Sequence, residues 1–324
     1  MRRGPIARRS ALPLLAAGLV SFPLAAGLVS FPLAAQQVAD TAFAPRIAAP
    51  AYAGNGPVVL LDEAHNNFHT LDGRYLVFGK VLRLDGYQVR PSRTAFSAGA
   101  LAGARVLVIA NALHASNAGG KWELPTPSAF TSAEIAAVRD WVQGGGSLLL
   151  VADHMPFPGA AGALAAAFGI HMRNGFAYDS TRKVSKFTFT RRSGRLASHP
   201  LTDGRSAAER IDSVVAFTGQ AFTVDAPGRA LMTLAPGTTV LEPRVAWQFD
   251  DQTPSESGAG LLQGAVVAFG SGRVAVFGEA AMFSAQVTGA QRSPMGMNDP
   301  VAPQNAQFLL NVMHWLTGLI PLDK

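Results

Sequence analysis

The stretch "TSAEIAAVRDWVQGGGSLLLVADHMPFPGAA" (Thr131–Ala161) decides the fold. Thr131 and Glu134 stand three residues apart at the start of a helical pattern, a spacing at which each side chain can satisfy the other's free backbone N–H. Ile135, Val138, Trp141 and Val142 then mark one apolar helix face, and Gly144, Gly145 and Gly146 end it. "SLLLVA" is apolar without alternation, as expected of a strand covered on both faces. A second helix is expected from Ala160 to Phe168. Helix, buried strand and helix in so short a span predict a parallel sheet with helices on both sides. Asp153 and His154 stand between strand and second helix, where folding requires neither.

The same alternation extends upstream. "GPVVLLDEAH" (56–65) and "RVLVIA" (105–110) read as buried strands, "YQVRP" as a shorter one, and Arg74–Leu84 as a helix stopped by Gly86. Downstream, "KVSKFTFTRR", "SVVAFTGQAFTV" and "RVAWQF" alternate like antiparallel strands, which predicts a β-rich insertion at about 175–260. "GAVVAFGSGRVAVFGEAAMF" returns as a strand pair ending at Glu279, and a closing helix starts at Asn305. The expected fold is α/β: a flavodoxin-like, doubly wound parallel sheet carrying that insertion.

The formal charge of +6 is concentrated at the N-terminus. Arg2, Arg3, Arg8 and Arg9 precede any acid, and residues 36–324 carry 23 basic against 21 acidic side chains. That balance argues against a nucleic-acid partner. A basic start, an apolar run to Ala35 in which "AAGLVSFPL" occurs twice (16–24 and 25–33), and the small residues of "PLAAQQ" read as a signal peptide over 1–35. The alternative is an uncleaved anchor, the single route by which this chain would meet a membrane; Pro13, Pro23 and Pro32 weigh against it. "ARRSAL" is a faint twin-arginine resemblance. Residues 36–55, rich in Ala and Pro, read as a linker to a main domain at 56–320, and the expected location is periplasmic or secreted. The chain has no cysteine, which excludes thiolate nucleophiles, disulfides and cysteine metal sites.

In a parallel sheet ligands bind at the carboxyl ends of the strands. Three such ends carry unusual chemistry: Asp62, Glu63, His65 and His69 after the first strand, Asp153 and His154 after the fourth, and Glu279, Ser284 and Gln286 after the last. His154, Asp153, Glu279 and Asp62 are the candidate catalytic groups. Asn66, Asn67, Gln286 and Asn298 are candidates for substrate contacts. Two chemistries remain open. His65, His69 and His154 with carboxylates suit a divalent metal such as zinc, which activates water; alternatively His154 is a metal-free general base or acid oriented by Asp62, Asp153 or Glu279. Each residue also has a plain structural reading, Asp62 as a cap and the histidines as satisfied core groups. No G-x-S-x-G elbow is present.

The segments "LDEAHNNFHTLDGRY", the opening stretch continued from Ser128, "FGEAAMFSAQ" and "NAQFLLNVMHWLTG" together resemble an uncharacterised family of exported bacterial proteins with a class I glutamine amidotransferase-like fold, more remotely ThuA-like proteins of sugar utilisation. The resemblance covers about 56–318. It implies that "VADHMPFPG" is the strained turn where amidotransferases hold their catalytic cysteine, here replaced by Asp153 and His154. Amidotransferase chemistry by that mechanism is therefore excluded. The expectation is a hydrolase acting on a small-molecule or carbohydrate-like substrate, with a catalytically silent module that recognises a saccharide or an envelope partner as the alternative.

Overall fold

The computed structural model describes residue 1, residues 37–45, residue 47 and residues 49–322. Apart from Met1, the expected signal peptide lies outside these residues. Among them no helix is long and apolar enough to cross a membrane.

Five parallel strands carry the fold: β1 (Val58–Asp62), β2 (Gln88–Ser92), β3 (Val106–Ala110), β4 (Ser147–Val151) and, after antiparallel β5 (Leu262–Phe269), β6 (Gly272–Phe277). Their order across the sheet is β2-β1-β3-β4-β6-β5. Side chains alternate between two apolar layers because a strand's period is two. Val106 and Val108 face one layer together with helix α1 (Leu76–Leu84); Leu107 and Ile109 face the other with Val138 and Val142 of α2 (Ser132–Gln143). Helix α3 (Phe157–Ala166) joins the second layer through Leu164, and α4 (Asn305–Thr317) joins the first through Phe308 and Leu309. Both faces are thus covered, which is why these strands read as continuous apolar runs.

The capping box at Thr131 forms in both directions: Glu134 N–H donates to Thr131 Oγ1 at 3.3 Å and Thr131 N–H to Glu134 Oε2 at 3.0 Å. Between α2 and β4, Gly145 takes φ +116°, a backbone conformation closed to most side chains, which explains the glycine run.

The insertion is β-rich, as its alternation predicts, and part of it extends the main sheet. Phe222–Val224 and Arg229–Thr233 both pair antiparallel with β5, and Ile170–Met172 pairs with Phe222–Val224. "RVAWQF" departs from its strand reading. Val245 makes one isolated bridge to Glu123, and Trp247 adopts φ +68° in a turn. The segment read as a linker is held down: Val38–Ala39 pairs with Gln286 and Val287, and the Tyr52 hydroxyl donates to Thr317 Oγ1 at 3.1 Å. Neither Asp153 nor His154, in the turn expected to be strained, takes a positive φ; Asn111, after β3, does (φ +51°).

Candidate active site

In this strand order the direction of winding reverses between β1 and β3, and the crevice beyond their carboxyl ends is the usual ligand position. Here the chain fills that crevice itself. The loop after β1 crosses to the loop after β3, with Phe68 N–H donating to Asn111 O at 2.9 Å and Leu113 N–H to His65 O at 2.8 Å. Asn67 Nδ2 donates to Asp62 Oδ2 at 3.0 Å, Asn66 Nδ2 to Leu113 O at 3.3 Å, and Asp62 Oδ1 accepts Ala64 N–H at 3.1 Å. Asp62, Asn66 and Asn67 therefore build this loop.

His65 lies between two carboxylates. Its Nδ1 is 2.9 Å from Asp62 Oδ1 and its Nε2 is 2.8 Å from Glu134 Oε1. Phe96 and Phe130 pack against the ring at centroid distances of 4.7 and 4.8 Å. Burial opposes a charge here, but hydrogen bonds to Asp62 and Glu134, with their charges, outweigh it and raise the His65 pKa. With an acid on each ring nitrogen, both nitrogens donate and the ring is an imidazolium. Glu134 is pushed up by burial, yet the Thr131 backbone N–H, His65, the Thr131 hydroxyl and the Phe96 N–H pull it down to about 2. This triad closes the loop and leaves His65 no lone pair for a metal.

Four residues on, His69 is only 3% exposed and has the opposite character. Its Nδ1 is 3.2 Å from Asn111 Nδ2. The amide's orientation is fixed because Asn111 Oδ1 accepts Asp153 N–H at 2.8 Å, so Nδ2 faces His69 and Nδ1 is the acceptor. The proton of this ring is therefore on Nε2. Burial, then the charges of Arg74 and His154, press the His69 pKa down to about 3, so the ring is neutral at physiological pH.

His154, 7% exposed, holds the reverse tautomer. Its Nδ1 is 2.7 Å from Met155 O, an oxygen that can only accept, so Nδ1 carries the proton and the Nε2 lone pair is left over. Burial lowers its pKa, against the charge of Asp153 and the hydrogen bond to Met155. A backbone carbonyl thus orients the imidazole. The sequence reading gave that task to Asp62, Asp153 or Glu279, but Asp153 Oδ1 is taken by His154 N–H at 2.8 Å and Thr218 Oγ1–H at 3.0 Å. Asp153 positions the turn with its carboxylate, which takes the backbone N–H of His154.

Glu279 is fully buried beneath this turn. Its oxygens accept Ala281 N–H at 2.7 Å and Met282 N–H at 2.8 Å, and its pKa lies well above the usual carboxylate range through burial and then the charge of Asp153. Gly219 beside it is required: a Cβ there would lie 2.3 Å from Gly278 O and 3.1 Å from Glu279 Cβ, at φ +121°.

Aromatic rings surround His154. Phe176 stacks on it at 4.5 Å and 12°, Trp247 meets it edge-on at 4.6 Å, and Trp122 and Phe157 lie at 5.9 and 5.8 Å. Trp247 and Phe249, 37% and 42% exposed, form the outer edge. The turn that carries Trp247 is tied down by Ala246 N–H donating to Trp122 O at 2.8 Å and Leu124 N–H to Arg244 O at 2.9 Å. Asn111, Trp122, Phe176 and Trp247 were not singled out from the sequence. An Asn closing an apolar strand was the available signal for the first, and an aromatic–acid cluster in "AWQFDD" for the last.

Gln286 and Asn298 stand apart from this cluster. Gln286 Nε2 donates to Ser284 Oγ at 2.7 Å, and Asn298 Nδ2 reaches Asp40 Oδ2 at 3.0 Å and Gln286 O at 2.8 Å, bracing the Val38–Ala39 strand. Among the described residues no three His, Asp or Glu side chains converge in a way that could hold a metal. With His65 consumed by Asp62 and Glu134, the residues do not fit the zinc expected of His65, His69 and His154.

No family model matches the chain, and a comparison with the curated proteins finds no match. Solved structures are similar in fold. The structure described as "mmIFT52 N-terminal domain" aligns with 80% of this chain and 97% of its own, with a TM-score of 0.56 and 16% identity, which shows a shared fold. A ThuA-like protein from Bacteroides uniformis is a fainter likeness, with a TM-score of 0.45 and 11% identity over 86% of this chain and 96% of that one. A β-galactosidase from Bacillus circulans sp. alkalophilus follows at a TM-score of 0.43 and 8% identity, over 82% of this chain and 31% of that one.

Proposed function

We propose that the chain is an exported hydrolase of the amidotransferase-like, flavodoxin-like class, and that the pocket around His154 receives a carbohydrate-like substrate. The observation that carries this reading is the pair of buried, neutral histidines in opposite tautomers: His154 with a lone pair on Nε2, His69 with a proton on Nε2. One is equipped as a general base, the other as a hydrogen-bond donor to an oxygen that gains charge. In hydrolysis His154 Nε2 takes a proton from water while the water oxygen bonds to the substrate's electrophilic carbon. His69 donates to the oxygen that becomes negative, and the leaving oxygen departs with the proton returned by His154.

A base and a donor suit cleavage of an acyl ester better than of a glycosidic bond, which takes two carboxylates flanking the scissile atom. Glu279 is fully buried and Asp153 is occupied by Thr218 and its own turn. The exposed rings of Trp247 and Phe249 give sugar C–H faces a surface. A screen of acylated sugars tests this reading. Turnover should rise with pH through a value below 6.5, where His154 loses its proton, and stay flat through neutrality; a rate that falls across that range would remove His154 as the base. The aromatic walls also support the alternative of a silent binding module. That reading gains if no acylated sugar is turned over while glycans still quench the fluorescence of Trp122 and Trp247.

A further inference from the structure

Close to His154 and His69, Phe68 and its neighbours hold donors without acceptors among the described residues. The Arg74 guanidinium carbon lies 3.7 Å above the centre of the Phe68 ring, and Nη1 reaches Phe68 O at 3.4 Å. Arg74 Nε is buried and has no hydrogen-bond partner among the described residues, and none of their carboxylates lies in ion-pairing range of it. On the same Phe68 ring, Trp122 packs edge-on at 5.1 Å, and its buried Nε1 is likewise without a partner. Trp122 lies 5.9 Å from His154, and Phe68 lies 5.6 Å from His69, whose proton is on Nε2. Buried donors left unpaired are costly, a charged one most of all, and native proteins carry few of them. Burial lowers the Arg74 pKa, and the charge of Arg74 in turn contributes to the depression of His69.

We propose that the occupant of this pocket carries a carboxylate, held by Arg74 with Trp122 Nε1–H beside it, so that the ligand class is a uronic acid or a saccharide containing one. The inference rests on the saccharide reading of the pocket given above and narrows it. A carboxylate offers acceptors only, in the plane that a guanidinium fork matches, and its single charge balances that of Arg74. Trp247 and Phe249, the exposed rings at the edge of the His154 cluster, take the apolar face of the sugar.

Tryptophan emission reads the outcome, since Trp122 and Trp247 both pack against His154. Galacturonate and glucuronate are titrated against galactose and glucose. Wild type should bind each acid at least tenfold more tightly than its neutral parent, and Arg74→Gln should abolish that preference without weakening the neutral sugar. Arg74→Lys, which keeps the charge and loses the fork, should keep part of it, and serves alone if Arg74→Gln does not fold. Equal binding of acid and neutral sugar overturns the carboxylate and leaves the saccharide pocket standing, as does a preference untouched in either variant. A wild type that binds neither kind of sugar overturns both.

Discussion

His65 and His69 are four residues apart on one loop, both buried, and their chemistries are opposite. His65 meets a carboxylate on each ring nitrogen and is charged; His69 meets an amide on one and is neutral, its pKa about 3. Distance from solvent is common to both, so the difference lies in what the fold sets beside each ring. An imidazole with two acids can only hold the structure together. One with a neutral partner keeps a proton it can offer.

That contrast breaks most visibly at His65. Replacing it with Leu leaves Asp62 and Glu134 buried without their counter-charge, and the expected loss is about 3–5 kcal/mol by urea denaturation. A loss below about 1 kcal/mol would mean the triad is not charged. His154→Ala should lower turnover by about 10²–10⁴-fold, far more than the modest loss of stability expected from emptying the ring's place between Phe176 and Trp247. An equal fall in stability would make His154 one more structural histidine.

The two neighbours also differ in the sign of their pH dependence. His69 has a folded pKa of about 3 against an ordinary 6.5, so the unfolded chain binds the extra proton and stability is lost as pH falls from about 6.5 towards 3. His65 has a raised folded pKa, so its contribution is complete below about 6.5 and is lost as pH rises through the folded value. Urea midpoints across pH should show His69→Gln flattening the acid limb and His65→Gln the alkaline one; the same limb flattened by both would erase the distinction. The smallest effect is expected at Trp247, where Ala should raise KM about three- to tenfold with kcat little changed, as loss of ring contact does. A kcat effect larger than the KM effect would place Trp247 in the chemistry.

The sheet was legible because Val106–Ala110 and Ser147–Val151 are apolar throughout and Thr131 and Glu134 bracket a helix start, all local signals. The rims at Asp153–His154 were legible because polar groups at strand ends stand out. Partners across the chain were not. Glu134 looked like a cap and is one, and nothing near it in sequence announces that its other oxygen reaches His65. The i, i+4 spacing of His65 and His69 suggested a shared metal, but helical spacing carries no geometry in a loop, and the two rings take different partners. Trp247 was read as a strand residue because "RVAWQF" alternates; its backbone turns to φ +68° instead. Arg74 was hidden as the first residue of an expected helix that begins at Leu76.

Glu134 also sets an order of events during folding. Its bond to Thr131 spans three residues and can form as soon as the first turn of α2 does, whereas its bond to His65 spans 69 and must wait until that loop is closed. The carboxylate is engaged early on one side and late on the other. Contacts made after the rate-limiting step weigh on how fast a protein comes apart rather than on how fast it assembles. If its far bond closes after that step, the His65 triad acts as a latch on escape from the native state, and it fastens the same loop that carries His69.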